Sequence, residues 1–484
     1  MENFYYFVIS ECLTKNEFSP LFKNLLLYSA PPSPLIGTPE DISNAQNYNA
    51  FLFEPAPDSY SIHSKNGKIR DLIDVSLKLK YLYREYPLHA TLQKFVNNSN
   101  KTVEPRVVEL LITKLQEYFS LCDSQLKKIN RLAEGEKNWI TKPMYLVASQ
   151  LYSIANLLDA YFFNDNNNVM NNKKDKNLCN TNKLLKSHRK QIGDLDDETF
   201  LEKCNRTIHN SFKLCLNDRE PDTTINKKLG VYPFILLEFS TYEKLNNFDM
   251  EKSFIKVLMN RLNTKQLPSL KDIPGNKNFE LLWFNFFMGK YFIRINDPRC
   301  VEYLMESYQY CNIKCTKMIV KILDLLAPCY LKFKNKLLKF PFTQETGIPH
   351  ELNKWLELYK ILKNGEIFLF KQWCFNQEKF LLANKLFIIV CADLKNVCFT
   401  RLLHKYWALN NNDTKVNLQE LNAIWRAASK EIRGKDNDIE NELDELECIL
   451  NNLIIKKYIN GYLSHGNRYL VLSKKTPFPS IYTI

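Results

Sequence analysis

Cations are concentrated at the C-terminal end of this sequence. From Cys448 to the last residue there is no Asp or Glu, whereas five Lys or Arg side chains occur, with one histidine between two short apolar stretches. A few such charges can neutralise the phosphates of a nucleic-acid backbone, whatever its base sequence. The candidate phosphate-binding residues are Lys456, Lys457, His465, Arg468, Lys474 and Lys475. The alternative is a solvated basic surface, with Lys456 and Lys457 placed as cations near a helix C-terminus.

A second basic stretch, "KFKNKLLK", provides a candidate site for an acidic peptide. Its cations are Lys332, Lys334, Lys336 and Lys339. Their position near the end of a predicted helix is an equally good structural explanation, because cations stabilise the negative end of the helix dipole.

The binding mode predicted for the C-terminal cations is contact with the nucleic-acid backbone. A helix that reads bases in the major groove normally presents its N-terminal end to the DNA. Here that end carries the acidic run "NELDELE", which repels phosphate. We therefore expect sequence-tolerant binding, with RNA and DNA both left open.

Signatures of enzyme chemistry are missing from the sequence. The seven histidines form no H-x-H or H-E-x-x-H motif, and there is no P-loop and no G-x-G-x-x-G. The thirteen cysteines are scattered without a C-x-x-C pair, so we interpret Cys311 and Cys315 as core residues. We expect no catalytic residue, no cofactor and no metal, although a dispersed catalytic triad would leave no local signature.

The composition predicts a helical protein of a reducing compartment. The chain has 484 residues, of which 45% are hydrophobic and only 12 are Gly, and its formal net charge is +13. Moderate basicity fits an anionic partner but does not identify one. No apolar run reaches the roughly 18 residues of a membrane span, and the N-terminus is a poor signal peptide. We expect a soluble, intracellular protein.

The hydrophobic pattern divides the chain into three parts. Residues 1–65 are rich in Pro, Ser and Asn and are predicted to be irregular. Residues 66–275 are predicted to form helical repeats, interrupted at about 164–195 by a disordered Asn/Lys insert. Residues 276–484 form the third part, whose first section, 276–395, continues the amphipathic helices. Paired antiparallel helices with short turns are typical of an α-solenoid of TPR-like repeats.

The last section, 396–484, is predicted to be a winged helix. Three short helices are followed by a helix stop at Asn460-Gly461 and by two strands around the turn His465-Gly466-Asn467. The small β-hairpin is the wing. We expect Trp407 and Trp425 to belong mostly to the core of this section.

A helical solenoid that ends in a winged helix resembles the PCI domain. The stretches that carry the resemblance are 283–311, 352–382, 397–407 and 461–479. Within PCI proteins the chain is most similar to the subunit-twelve family of the COP-nine signalosome, which is related to PCI subunits of messenger-RNA export complexes. The segments "NWITKPMYLVASQL" (138–151), "RTIHNSFKLCLNDREP" (206–221) and "KKLGVYPFILLEFSTYEKL" (227–245) resemble this branch in particular. An acidic insert near 434–447 departs from the family pattern, as does the Asn/Lys insert.

The resemblance implies a mainly α, non-catalytic scaffold in the nucleus and cytoplasm. The implied partners are a second PCI-domain protein, a small acidic subunit of the Dss/Sem type, possible signalosome subunits, and the backbone of RNA or DNA, with no membrane. The implied function is nuclear work on messenger RNA, in transcription elongation, splicing or export. The alternative is an accessory signalosome subunit that acts purely as a protein-interaction module in the regulation of cullin deneddylation.

Overall fold

The protein is mainly helical and divides into two compact units, Met1–Lys277 and Asn278–Ile484. The structure is a computed structural model that describes residues 2–28, 59–88, 90–91, 105–162, 198–222, 224–275, 277–334, 336–340, 349–429 and 439–479. None of the helices in these ranges is long and apolar enough to span a bilayer. The predicted Asn/Lys insert lies outside the described residues. The three-part division of the chain predicted from sequence stays a prediction.

The N-terminal unit is built from long helices joined by short connections. Short 3₁₀ turns at Asn138–Ile140 and Lys227–Gly230 precede two of them. The helices are α1 (Glu2–Lys15), α2 (Pro20–Leu26), α3 (Ser59–Glu85), α4 (Pro105–Ala133), α5 (Thr141–Phe162), α6 (Phe200–Leu216), α7 (Tyr232–Leu245) and α8 (Phe248–Asn263). Consecutive helices from α3 to α7 pack on one another, which is the stacking expected of a solenoid.

The prediction that residues 1–65 are irregular is wrong for the part that is described. Helices α1 and α2 occupy its beginning, and Tyr5 and Ile9 of α1 are buried. Ser19 caps α2 by accepting a hydrogen bond from the backbone N–H of Phe22 at 3.2 Å, and Pro20 begins the helix. The Pro/Ser/Asn-rich composition that suggested irregularity belongs to residues 29–58, which lie outside the described ranges.

Local sequence fixes the start of α6. Thr199 and Glu202 form a capping box, in which each side chain accepts a hydrogen bond from the other residue's backbone N–H, at 3.2 and 2.8 Å. The Asp159 carboxylate of α5 accepts two more, from the N–H groups of Phe200 and Leu201, both at 2.9 Å. The first turn of α6 is thereby anchored to the preceding helix.

The C-terminal unit is also mainly helical and ends in a small sheet. A 3₁₀ turn at His350–Leu352 precedes α12, and a π-helix at Ile388–Leu394 precedes α15. The elements are α9 (Asn278–Arg294), α10 (Arg299–Gln309), α11 (Thr316–Lys334), α12 (Asn353–Asn364), α13 (Ile367–Asn376), α14 (Glu378–Ala383), α15 (Lys395–Leu409), β1 (Lys415–Asn417), α16 (Leu418–Ser429), α17 (Ile439–Ile455), β2 (Gly461–Ser464) and β3 (Tyr469–Leu472). Gly365 ends α12 at φ 67°, and a Cβ there would lie 2.8 Å from the backbone nitrogen of Leu402 in α15.

The last elements form a winged helix. Its antiparallel sheet has the order β1-β3-β2, and a 3₁₀ turn at His465–Asn467 closes the β2–β3 wing. Gly461 is required at the start of β2, because a Cβ there would lie 2.4 Å from the carbonyl oxygen of Val471. Trp425 stacks on Phe399 at 3.7 Å between ring centroids, and Trp407 packs 5.5 Å from Phe478. Both tryptophans pack against aromatic rings of the winged helix but are only half-buried, so the core position expected for them is reached in part.

The predicted fold class is confirmed, with one detail that the sequence pattern missed, the third strand β1, which is only three residues long. The acidic run "NELDELE" lies in the first turns of α17, as the sequence predicted.

Candidate nucleic-acid and partner interface

Arg468 of the wing is held by two carboxylates of α17. Its Nη1 lies 2.7 Å from Asp444 Oδ1 and 2.7 Å from Glu447 Oε1. Asp444 and Glu447 are three residues apart and so lie on one face of the helix. His465 joins the same group, with Nδ1 2.7 Å from Glu447 Oε2. Hydrogen bonds to the two carboxylates raise the pKa of Arg468, and the bond to Glu447 has the larger effect.

This network gives Arg468, a candidate phosphate-binding residue, two carboxylate partners within the protein. The acids that neutralise it lie just before the acid-free stretch, so the count of charges from Cys448 onward did not include them. The side chains of Asp444, Glu447 and His465 lie close enough for a metal ion, with ligand atoms within 4.8 Å of one another. Because the Arg468 guanidinium already binds both carboxylates, we interpret the cluster as an internal ion-pair network.

Asp393 brings together one cation from each predicted basic site. It lies in the π-helix, with Oδ2 2.5 Å from Lys332 Nζ and Oδ1 3.4 Å from Lys456 Nζ. The side chains of Asp393 and Lys332 are 14% and 13% exposed. Burial raises the pKa of Asp393, but the ion pairs with Lys332 and Lys456 outweigh that effect and leave the pKa below its usual value. Lys332 of α11 and Lys456, which directly follows α17, therefore both contact the π-helix.

The remaining candidate cations are exposed. Among the described residues, none of them has a carboxylate within ion-pair distance. They are Lys457, Lys474 and Lys475 beside the wing, and Lys334, Lys336 and Lys339 at and just after the C-terminal end of α11. The structure thus leaves the two predicted basic sites with three available cations each. Ligand binding at either site stays a prediction.

Another basic cluster was missed by the sequence analysis. Lys290 Nζ of α9 and Lys321 Nζ of α11 lie 5.7 and 5.2 Å from the centroid of the same Phe286 ring. Burial, followed by repulsion from Lys321, Arg294 and Lys385, lowers the pKa of Lys290 to about 7. We call these four residues the Lys290 cluster. The only sequence signal was a lysine inside the apolar run "LLWFNFFMGKYF".

A cavity of about 80 Å³ lies between α16 and α17. It is lined by Trp425 and contains the ion pair between Arg426 Nε and Glu442 Oε2, at 2.5 Å. Its volume is well below the roughly 300 Å³ at which pockets for small-molecule ligands begin.

Comparisons with known proteins agree with this architecture. The PCI domain family matches residues 371–474. The chain is 30% identical over 423 residues to "Cop9 signalosome complex subunit 12" of Saccharomyces cerevisiae, covering 84% of this chain and 86% of that protein. It is 28% identical to the protein of the same name from Eremothecium gossypii, and the match covers 75% of this chain and 82% of that protein. It is also 25% identical to "PCI domain-containing protein 2" of Xenopus laevis, and the match covers 73% of this chain and 76% of that protein.

Proposed function

We propose that this chain, which belongs to the COP9 signalosome subunit 12 family of PCI-domain proteins, is a non-catalytic accessory subunit of a signalosome-type complex. Similarity along most of the chain to proteins named as signalosome subunits carries this proposal. The fold is consistent with it, because stacked helices offer an extended surface for protein contacts. The test is tagged purification of the full chain followed by mass spectrometry. Recovery without any signalosome or PCI-domain protein would refute the proposal.

The first partner is a second PCI-domain protein bound at the winged helix. Strand β2 is hydrogen-bonded only to β3 within the described sheet, so its other edge offers backbone groups to a partner. Amide hydrogen exchange of the purified complex tests this directly. We expect slower exchange across Gly461–Ser464 in the complex than in the isolated chain, and unchanged exchange there would exclude this edge as the interface.

The second partner is a small acidic subunit of the Dss/Sem type. The Lys290 cluster supports it, because mutual repulsion among its cations is relieved when carboxylates approach. Lys334, Lys336 and Lys339 are the alternative location. Lys321→Glu should reduce co-purification of the acidic subunit. The control is Lys317→Glu, the same charge reversal at an exposed residue of the same helix. Equal recovery with both variants would remove the Lys290 cluster as the site.

The second candidate function is contact with nucleic acid in nuclear messenger-RNA processes. The observation that favours it is the group of exposed cations beside the wing, Lys457, Lys474 and Lys475. Each neutralised phosphate contributes about −0.9 to the slope of log affinity against log salt on duplex DNA, and about −0.7 on single strands. Changing Lys474 and Lys475 to Glu should lower affinity for RNA and DNA alike and flatten that slope. On this proposal the protein occurs in both nucleus and cytoplasm.

A further inference from the structure

The sheet of the winged helix has one face that the fold does not use. Side chains alternate between the two faces of a strand, and residues opposite each other on neighbouring strands share a face. Val471 lies opposite Lys415 on one side and Tyr462 on the other, and Tyr469 lies opposite Asn417 and Ser464. The outer face therefore consists of Lys415, Asn417, Tyr462, Ser464, Tyr469 and Val471.

Burial distinguishes the two faces clearly. On the inner face, Val416, Leu470 and Leu472 are 1%, 0% and 3% exposed and so belong to the core. On the outer face, Tyr462 is 62% exposed and Tyr469 is 38% exposed. Among the described residues neither tyrosine ring has an aromatic or cation partner. Tyr462 is thus mostly exposed to solvent and Tyr469 is partly exposed, and both lie on the outer face of the sheet.

Charges are distributed unevenly along this face. Lys415 lies opposite Val471, near the end of β3, and Lys474 and Lys475 follow that strand directly. These three cations therefore lie at the end of the sheet that carries Tyr462. The acids Asp444 and Glu447 lie at the other end, where they are bound to Arg468. Asp413 is also near Lys415 and accepts its backbone N–H at 3.1 Å.

We propose that the outer face binds single-stranded nucleic acid, with unpaired bases stacked on Tyr462 and Tyr469 and phosphates contacting Lys415, Lys474 and Lys475. This inference rests on the nucleic-acid role proposed above and names its substrate class. Exposed aromatic rings on a sheet, flanked by cations, are the chemistry that holds single strands, since every base has a face that can stack. In a duplex the base faces are already stacked on one another, so the tyrosines have no counterpart there.

The two tyrosines are placed to accept separate bases. They are diagonal neighbours on adjacent strands, a relation that puts Cα atoms about 7–8 Å apart. This spacing is about twice the 3.4 Å rise per nucleotide of a stacked strand. Each ring therefore accepts its own splayed-out base. Stacking of this kind tolerates any base sequence, in agreement with the backbone-directed mode expected from the cations.

The test uses the full chain with its co-purified partner and compares two fluorescent probes, a short oligouridylate and a DNA duplex of the same length. Tyr462→Ala and Tyr469→Ala should each weaken oligouridylate binding roughly fivefold to a hundredfold. Duplex affinity and the salt slope should stay unchanged, because no phosphate contact is removed. Tyr462→Phe should bind like the unchanged protein, since the ring is kept. Tyr81→Ala, at an exposed tyrosine of α3, is the matched control.

The remaining outcomes separate this inference from the broader role. If replacing Lys415, Lys474 and Lys475 with Gln weakens binding while both Tyr→Ala variants bind normally, the stacking surface is refuted and the nucleic-acid role stands. If the unchanged complex binds neither probe, both are refuted. If the Tyr→Ala variants lose the partner protein while their affinity for oligouridylate stays normal, the outer face is a protein interface, and the proposal is overturned.

Discussion

Replacing Asp393 with Asn should destabilise the C-terminal unit, because the change leaves the Lys332 ammonium without its carboxylate. Both side chains are largely buried, and Lys332 Nζ keeps two uncharged partners, the Asn296 side-chain oxygen and the Phe333 ring, whose centroid is 4.6 Å away. Removing one partner of a fully buried ion pair costs about 3–5 kcal/mol, and the partial exposure here reduces this to about 2–3 kcal/mol. The Lys456 pair adds little, since its lysine side chain is 47% exposed.

This cost is measurable by thermal and chemical unfolding. For a unit of this size each kcal/mol lost from the free energy of unfolding lowers the Tm by about 2–4 °C. Asp393→Asn should therefore lower the Tm by roughly 4–12 °C. Adding Lys332→Met should recover part of the loss, with a coupling energy of at least about 1 kcal/mol in the double-mutant cycle. Asp74→Asn, which breaks the exposed pair of Asp74 and Lys78 at 2.8 Å, is the control and should cost well under about 1 kcal/mol.

The pH dependence gives an independent check with a definite sign. The pKa of Asp393 is lower in the folded protein than in the unfolded chain. Its contribution to stability is therefore complete above pH 4 or so and disappears as pH falls through the folded-state pKa. The stability difference between the unchanged protein and Asp393→Asn should shrink below about pH 4. An unchanged Tm for Asp393→Asn at neutral pH, or no recovery from Lys332→Met, would refute the structural role of Lys332.

Three further predictions follow from single sites. Gly461→Ala should disrupt the wing and speed amide exchange across β2 and β3, because the added Cβ meets the Val471 carbonyl oxygen. Gly466→Ala, at the open turn, is the control, and unchanged exchange in Gly461→Ala would contradict this packing. Lys290→Met should stabilise the fold most at and below about pH 7, and this advantage should shrink as pH rises toward 10, because the folded-state pKa of Lys290, about 7, lies below that of the unfolded chain. An advantage that is independent of pH would contradict this. Arg468→Gln should destabilise the wing while leaving the salt slope of nucleic-acid binding unchanged, and a flatter slope would show that Arg468 contacts phosphate.

The fold was largely predictable because its elements have strong local signals. Amphipathic periodicity identified the helices of both units, and the turn around Gly466 identified the β2–β3 hairpin. Strand β1 was missed because three residues carry no measurable alternation and are held by pairing with β3, a partner more than fifty positions away. Helices α1 and α2 were missed because the Pro/Ser/Asn-rich residues that follow them dominated the composition.

The candidate site was predictable in its location and less so in its charges. The exposed state of Lys474 and Lys475 follows from their position after the last strand. The pairing of Arg468 with Asp444 and Glu447 depends on the wing folding back on α17, which a charge count along the sequence does not include. The Lys290 cluster depends on three separated segments meeting in space, so no local pattern contained it.

The measurement that tests the central claim most directly is purification of the tagged full-length chain from its own cells, with size-exclusion chromatography and quantitative mass spectrometry of the peak. The account predicts a stable complex in which a second PCI-domain protein is present in equal amount with this chain. A peak at the mass of the isolated chain, 57.1 kDa, without a PCI-domain protein would contradict the conclusion that the protein works as a scaffold subunit.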